Sequence, residues 1–164
     1  MQEIYRSAAS IVLLRPATRP DDVRAVAYQV LLIHKPRKRD AWQLPQGGVE
    51  EGESVVQAAL RELHEEAGVA DVTVLGSSKN FYQYDFPASY RKFRPDHVRG
   101  QRIQYVYGLA KAGTEVTVDQ QEIDQHVWVF PDEVKRYIKR KEYLRLADIL
   151  IEEALHLANK HISR

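Results

Sequence analysis

The sequence contains no cysteine. That excludes disulfide frameworks, thiolate zinc sites and cysteine nucleophiles. It suits a reducing compartment, and a cytoplasmic protein is expected. No apolar run approaches the roughly 20 residues needed to cross a membrane. The opening stretch, MQEIYRSAASIVLL, carries Glu3 and Arg6 and lacks the basic start and long apolar stretch of a secretory leader. Residues 7–14 are therefore expected to form a first core strand. An excess of charge of one sign is also lacking: 24 Lys and Arg face 23 Asp and Glu, for a formal net charge of +1. So small a balance says nothing about partners by itself. Internal repeats and low-complexity linkers are absent.

What is present suits one domain spanning 1–164, long enough to bury a core without disulfides or structural metal. Basic residues gather at 35–39, 91–102 and 135–141. Singly, each cluster describes a solvated surface. Three of them around an acidic helix suggest a rim that binds phosphate.

Strand-like and helix-like segments alternate, as in a mixed α/β domain. Residues 8–14 and 25–34 read as strands, with a loop over 15–23 marked by Pro16, Pro20 and Asp21-Asp22. Residues 35–40 form a charged turn. Trp42-Gln43-Leu44-Pro45 is short and extended, and Gln46-Gly47-Gly48 is a tight turn. A helix is predicted over 54–67. Ser54 caps it, Gln57 completes a capping box, and Gly68 stops it. Val56, Leu60, Leu63 and Ala67 supply its apolar stripe. Further strands are predicted over 72–75, 79–86, 103–110 and 126–130, with a long basic loop over 88–100. A short helix over 131–137 and a terminal helix over 143–160 follow. The terminal helix has a stripe of Leu146, Ile149, Leu150 and Leu157 and is assigned to packing.

The chemistry concentrates in the predicted helix over 54–67. With Glu62 at zero, Glu66 lies about 40° to one side and Glu65 about 60° to the other. Three carboxylates then share one face, away from the apolar stripe. Like charges so spaced weaken an isolated helix. A hard divalent cation such as Mg²⁺ relieves that repulsion, because it prefers oxygen ligands and keeps waters for exchange with substrate. Glycine at 47 and 48 lets a main-chain carbonyl approach the same ion. Taken alone, Glu-x-x-Glu-Glu more often describes a solvated acidic helix, and Arg61 can pair with Glu65 at i, i+4.

The wider pattern narrows the choice. Gly47, Glu53, Arg61, Glu62, Leu63, Glu65, Glu66, Gly68 and Val69 fill every fixed position of a motif that resembles the Nudix box. The resemblance implies an α+β fold, with a mixed β-sheet sandwiched between α-helices in α/β/α layers. It implies a Mg²⁺-dependent hydrolase, with Mn²⁺ as a substitute, that cuts a phosphoanhydride bond by water attack at phosphorus. Carried over residue by residue, Glu62, Glu65 and Glu66 are the metal ligands, with Gly47 lending its carbonyl. Arg61 orients the carboxylates and Glu53 holds Arg61.

The flanks resemble two Nudix groups, the diadenosine tetraphosphate hydrolases and the bacterial RNA 5′-pyrophosphohydrolases. Trp42 to Gly48, including Gln46, resembles their segment ahead of the box. Tyr84-Asp85-Phe86-Pro87 resembles a strand end, and Gly100-Gln101 the start of the next strand. Glu122, in Gln121-Glu122-Ile123-Asp124, becomes a further catalytic or metal-binding carboxylate. By the same resemblance Lys139 meets a phosphate and Tyr143 stacks or hydrogen-bonds. The chain departs from the groups at Ile103 and Gln104, where they carry Gln and Lys, and Arg102 is the candidate replacement charge. A base needs an aromatic or Arg platform. Tyr82, Tyr84, Tyr90, Tyr105 and Tyr143 are the candidates, Tyr84 and Tyr143 being favoured. His64, His97 and His126 lack zinc spacing and are treated as incidental.

The resemblance therefore implies a dinucleoside polyphosphate such as diadenosine tetraphosphate as main substrate, with triphosphorylated RNA 5′ ends as the alternative. A non-catalytic nucleotide-sensing protein on the same scaffold is a third reading. No membrane partner is expected, and both monomer and homodimer stay open.

Overall fold

The computed structural model describes residues 4–36, 41–91 and 97–162. Parts of two basic clusters, 37–39 and 92–96, lie outside the described residues. The strands are β1 (Ile4–Arg19), β2 (Asp22–His34), β3 (Trp42–Gln43), β4 (Gln46–Gly48), β5 (Val72–Asp85), β6 (Val98–Ala110) and β7 (Gln125–Val129). The helices are α1 (Val55–Ala67), the one-turn α2 (Ala88–Arg91), a 3₁₀ helix (Pro131–Arg136) and α3 (Lys141–Ile162).

One mixed sheet runs in the order β3–β2–β1–β6–β5, with β4 added to β1 and β7 to β2. β1 lies parallel to β6 and antiparallel to β2 and β4. Residues 8–14 of β1 are buried on both faces, which explains their unbroken apolar run. Ala8, Val12 and Leu14 face a cluster closed by the 3₁₀ helix and α3. Ala9, Ile11 and Leu13 face a second cluster closed by α1. The expected three-layer arrangement, helix on sheet on helix, is the one observed.

Several boundaries differ from the sequence reading. The expected loop over 15–23 is mostly strand, because β1 and β2 form a long hairpin reaching Arg19↔Asp22. Pro16 is tolerated there because the β6 pairing ends at Leu14↔Leu109, leaving β1 one neighbour at that point. The segments expected as two strands over 72–86 are one strand, β5, whose register shifts twice between Val74 and Phe81. β6 begins at Val98, within the expected basic loop, where β1 and β5 pair with both its edges.

α3 also differs. Its buried residues are Tyr143, Ala147, Leu150, Ile151, Ala154 and Ala158, while the expected Ile149 is 44% exposed. Alanines on this face let the helix lie close to the sheet. Among the described residues no helix is long and apolar enough to cross a membrane.

Candidate active site

α1 starts where Ser54 takes the backbone N–H of Gln57 at 3.1 Å and Gln57 returns the bond to the Ser54 N–H at 2.9 Å. It stops at Gly68, whose left-handed backbone (φ 68°) turns its N–H onto the His64 carbonyl. Between these caps the helix buries Ala58, Ala59, Leu63, Glu66 and Ala67. The buried arc is thus wider than the expected stripe and takes in one of the three glutamates. Small residues at 58 and 59 let the acidic face press on the sheet.

The chain against that face is β4, held to residues 8–10 of β1. Ser10 Oγ donates to the Pro45 carbonyl at 2.9 Å and the Ile11 N–H to the same oxygen at 3.1 Å. At Gly47 an added Cβ would fall on the carboxyl group of Glu62. Only glycine permits helix and strand to approach this closely.

Arg61 organises the carboxylates. Its Nε and Nη2 donate to Glu53 at 2.8 and 3.0 Å, and Nη2 also reaches the Gly48 carbonyl at 2.8 Å. Nη1 donates to Glu62 at 2.9 Å and Glu65 at 3.3 Å. The Arg61 hydrogen bonds, joined by the Glu50 N–H, hold the Glu53 carboxyl below its ordinary pKa. Burial raises the Glu62 pKa against the pull of Arg61.

Glu66 is 1% exposed. Its Oε1 accepts the Gln46 N–H at 3.2 Å, and its Oε2 has no hydrogen-bond partner among the described residues. Burial pushes its pKa up to about 8. The charges of Glu62 and Glu122 act in the same direction, while Lys35 and the Gln46 N–H oppose it. An unpartnered, desolvated carboxylate oxygen is costly, and a cation is the direct way to offset it.

The three box glutamates do not meet at one point. Glu65 is 58% exposed and Glu62 14%, both drawn toward Arg61, while Glu66 turns inward. Among the described residues no three acidic or histidine side chains already enclose a cation position. The donors nonetheless fit a hard divalent ion: all are oxygens, one is orphaned and buried, and the chain at Gly47 is bare.

Glu122 sits on a loop shaped by Asp119, whose Oδ1 accepts the N–H groups of Gln121, Glu122 and Ile123. Buried Ile123 anchors that loop. The Glu122 side chain is exposed, yet its charge is felt at Glu62 and Glu66, so the loop brings it to the acidic face. Asp124 clips the loop to β2 through His34 Nδ1 at 2.6 Å, a contact that lowers the Asp124 pKa.

A cavity of about 290 Å³ opens on the α3 side of the sheet, lined by Gln43, Gln46, Tyr82, Tyr84, Ile103, Tyr105, Arg140 and Tyr143. Four of the five candidate tyrosines meet here. Tyr84 donates to Gln101 at 2.9 Å. Tyr143 accepts the Leu44 N–H at 3.0 Å, and burial pushes its pKa up to about 12. Ile103 makes an apolar wall at one of the two positions where the chain departs from the related groups.

Two expected contacts fall elsewhere. Lys139 donates to the Lys135 carbonyl and is not among the lining residues, whereas Arg140 is. Arg102 alternates with Gln101 and Ile103 along β6, so it points to the opposite face, over the Phe81 ring at 3.9 Å. The sequence reading held Lys35 and Arg140 only as members of basic clusters and Gln43 only within the segment ahead of the box, and it did not single out the His34–Asp124 pair. Strand alternation from Gln101 signals Ile103 and Tyr105; nothing local separates Arg140 from the other cations of its cluster.

This fold, with a glycine-bounded acidic helix beside a tyrosine cavity, defines a class. The NUDIX domain family model matches residues 4–148, and the chain belongs to the Nudix family. It is a Nudix hydrolase, a pyrophosphohydrolase. Among named relatives, an RNA pyrophosphohydrolase of a Sulfurovum species is 36% identical over 134 residues, covering 77% of this chain and 84% of its own. One from Francisella tularensis subsp. mediasiatica is 32% identical over 148 residues, covering 85% and 88%. In fold the chain resembles a Caenorhabditis elegans Ap4A hydrolase (TM-score 0.63, 19% identity, covering 91% and 98%). An Escherichia coli dihydroneopterin triphosphate pyrophosphohydrolase is similarly close (TM-score 0.63, 18% identity, covering 87% and 94%).

Proposed function

We propose that this chain removes pyrophosphate from the 5′ end of triphosphorylated RNA, with Mg²⁺ bound at α1. The observation that carries the reading is the contact between Gln46 and Glu66. Gln46 lines the tyrosine cavity, and its N–H holds the buried carboxylate. A base in the cavity would thus have its 5′ phosphates directed toward the acidic helix. The two RNA pyrophosphohydrolases similar to this chain over most of both lengths favour an RNA end over a dinucleoside polyphosphate. The latter stays as a second reading, because stacking tyrosines accept a base whatever lies beyond the phosphates.

Glu62, Glu65, Glu66, Glu122 and the Gly47 carbonyl would hold the cation. Bound Mg²⁺, with Mn²⁺ as a substitute, supplies charge neutralisation for the polyphosphate and acidifies the attacking water. Arg61, braced by Glu53, keeps the carboxylates in register. A carboxylate of this set takes the proton as the water oxygen bonds to phosphorus. The phosphoanhydride P–O bond breaks and pyrophosphate leaves. Arg140, at the cavity wall, balances phosphate charge, and Tyr84 and its partner Gln101 shape the base site.

The test is turnover, side by side and with Mg²⁺, of a short triphosphorylated RNA and of diadenosine tetraphosphate. The expected products are 5′-monophosphate RNA and pyrophosphate, formed faster than the dinucleotide is cut. Cleavage of the dinucleotide with the RNA untouched would overturn the reading.

A further inference from the structure

Glu122 is the one carboxylate of the proposed cation set that lies off α1. Its loop, residues 119–124, closes on itself. The Asp119 carboxylate accepts the N–H groups of Gln121, Glu122 and Ile123 at 3.1, 3.1 and 2.9 Å. Gln120 takes a left-handed backbone (φ 64°), uncommon for a residue with a side chain, and its N–H returns to the Ile123 carbonyl at 2.9 Å. Ile123 is fully buried and joins the cluster that holds Leu63 of α1. The neighbour of Glu122 is thus fastened into the core beneath the acidic helix.

The far end of the loop is fastened by one residue of β2. The Asp124 N–H donates to the His34 carbonyl at 3.2 Å, and His34 Nδ1–H donates to Asp124 Oδ1 at 2.6 Å. The backbone bond leads into the β7 ladder, which opens at His34↔Gln125. The side-chain bond is additional, between groups only 22% and 30% exposed. On its other edge His34 pairs with Trp42, and the two rings pack at 5.1 Å. Trp42 leads the run to Gln46 and Gly47. His34 therefore ties together the two stretches of chain that meet the acidic face of α1.

We propose that Asp124 and His34 are positioning residues that hold the Glu122 carboxylate at the acidic face in advance of the cation. This rests on the place given to Glu122 in the cation set. Asp124 and His34 act through the loop and need touch neither ion nor substrate, as outer partners of metal ligands do. A carboxylate on a slack loop would have to be ordered when the ion binds; a loop fixed at Asp119, Ile123 and Asp124 is ordered already.

The experiment measures the Kd for Mg²⁺ without substrate, and kcat and KM for triphosphorylated RNA at saturating Mg²⁺. The proteins are the wild type, Asp124→Ala, Asp124→Asn, Glu122→Gln and the double variant Glu122→Gln/Asp124→Ala. In Asp124→Ala the Kd should rise about tenfold and kcat should fall, with KM for RNA unchanged. Asp124→Asn should recover most of the loss, because its amide oxygen still accepts the His34 N–H. In the Glu122→Gln background Asp124→Ala should add little, since the carboxylate it positions is gone. If Asp124→Ala fails to fold, His34→Phe takes its place, keeping a ring against Trp42 while removing the donor. Wild-type Kd and kcat in Asp124→Ala overturn the positioning role, as does an equal further loss in the Glu122→Gln background, or no recovery in Asp124→Asn. Wild-type behaviour of Glu122→Gln removes Glu122 from the cation set and the proposal with it. The Kd is read without RNA, so failure of RNA cleavage alone overturns the RNA reading and leaves the positioning role to the Mg²⁺ titration.

Discussion

Glu66 Oε1 takes the backbone N–H of Gln46 at 3.2 Å, and through that bond the acidic helix touches the wall of the cavity on the other side of the sheet. β4 is the piece of chain that makes this possible. It occupies the edge of β1 that β2 leaves free over residues 8–10, so Gln46 can serve both faces. The second oxygen of Glu66 is left without a partner among the described residues. The consequences can be measured.

Glu66→Gln keeps the shape and removes the charge. Turnover should fall by at least about 10³-fold, since a cation ligand is lost. Stability gives an independent reading. Mg²⁺ at a hundred times its Kd should stabilise the wild type by about 2.7 kcal/mol. For a chain of this size that is roughly 5–10 °C in Tm. The shift should shrink in Glu66→Gln. A full Mg²⁺ shift in the variant would remove Glu66 from the metal site.

Gly47 and Gly48 should respond differently to alanine. A Cβ at Gly47 meets the Glu62 carboxyl, while one at Gly48 meets nothing within 4 Å. Gly47→Ala should cost about 1–3 kcal/mol by overpacking and lower kcat, because Glu62 must move. Gly48→Ala should stay close to wild type. Equal urea midpoints for the two variants would contradict the close approach of α1 and β4.

Arg61→Lys should not replace arginine. Its guanidinium holds Glu53 by two parallel bonds while also reaching Gly48, Glu62 and Glu65. An ammonium is a point charge without that fork. Both Arg61→Ala and Arg61→Lys should lose turnover and melt earlier, with little recovered by lysine. Wild-type kinetics in Arg61→Lys would show that charge alone suffices.

Ser54→Ala removes one half of the reciprocal cap. The expected loss is about 1 kcal/mol, or roughly 2–4 °C in Tm for a chain of this length. Turnover should change far less than in the Glu66, Gly47 or Arg61 variants, because the cap lies two turns from Glu62. A Tm equal to wild type would mean that water replaces the cap without loss.

The legible parts of the sequence were those that short-range chemistry dictates. Ser54, Gln57 and Gly68 mark the ends of α1 to within one residue, because caps are made by neighbours. Helical spacing alone put Glu62, Glu65 and Glu66 on neighbouring positions of one face, although the structure turns Glu66 inward; Arg61 was singled out by the resemblance to the Nudix box. Prolines at 16 and 20 misled the reading of the first hairpin. A proline forbids a ladder bond only where a partner strand needs one, and that depends on where β6 stops. Of the α3 stripe, Leu150 is buried and Leu146 and Leu157 pack against the core; Ile149 alone was misread, and the sheet also accepts alanines at 147, 154 and 158.

By itself the sequence determined a capped, glycine-bounded acidic helix and the family that uses it. The tertiary structure alone decided that Glu66 is buried, that Arg140 and not Lys139 walls the cavity, and that four tyrosines meet there. These depend on contacts such as Leu44 with Tyr143, 99 residues apart. Strand pairing and helix docking bring such residues together, and no local rule of spacing encodes which faces will meet.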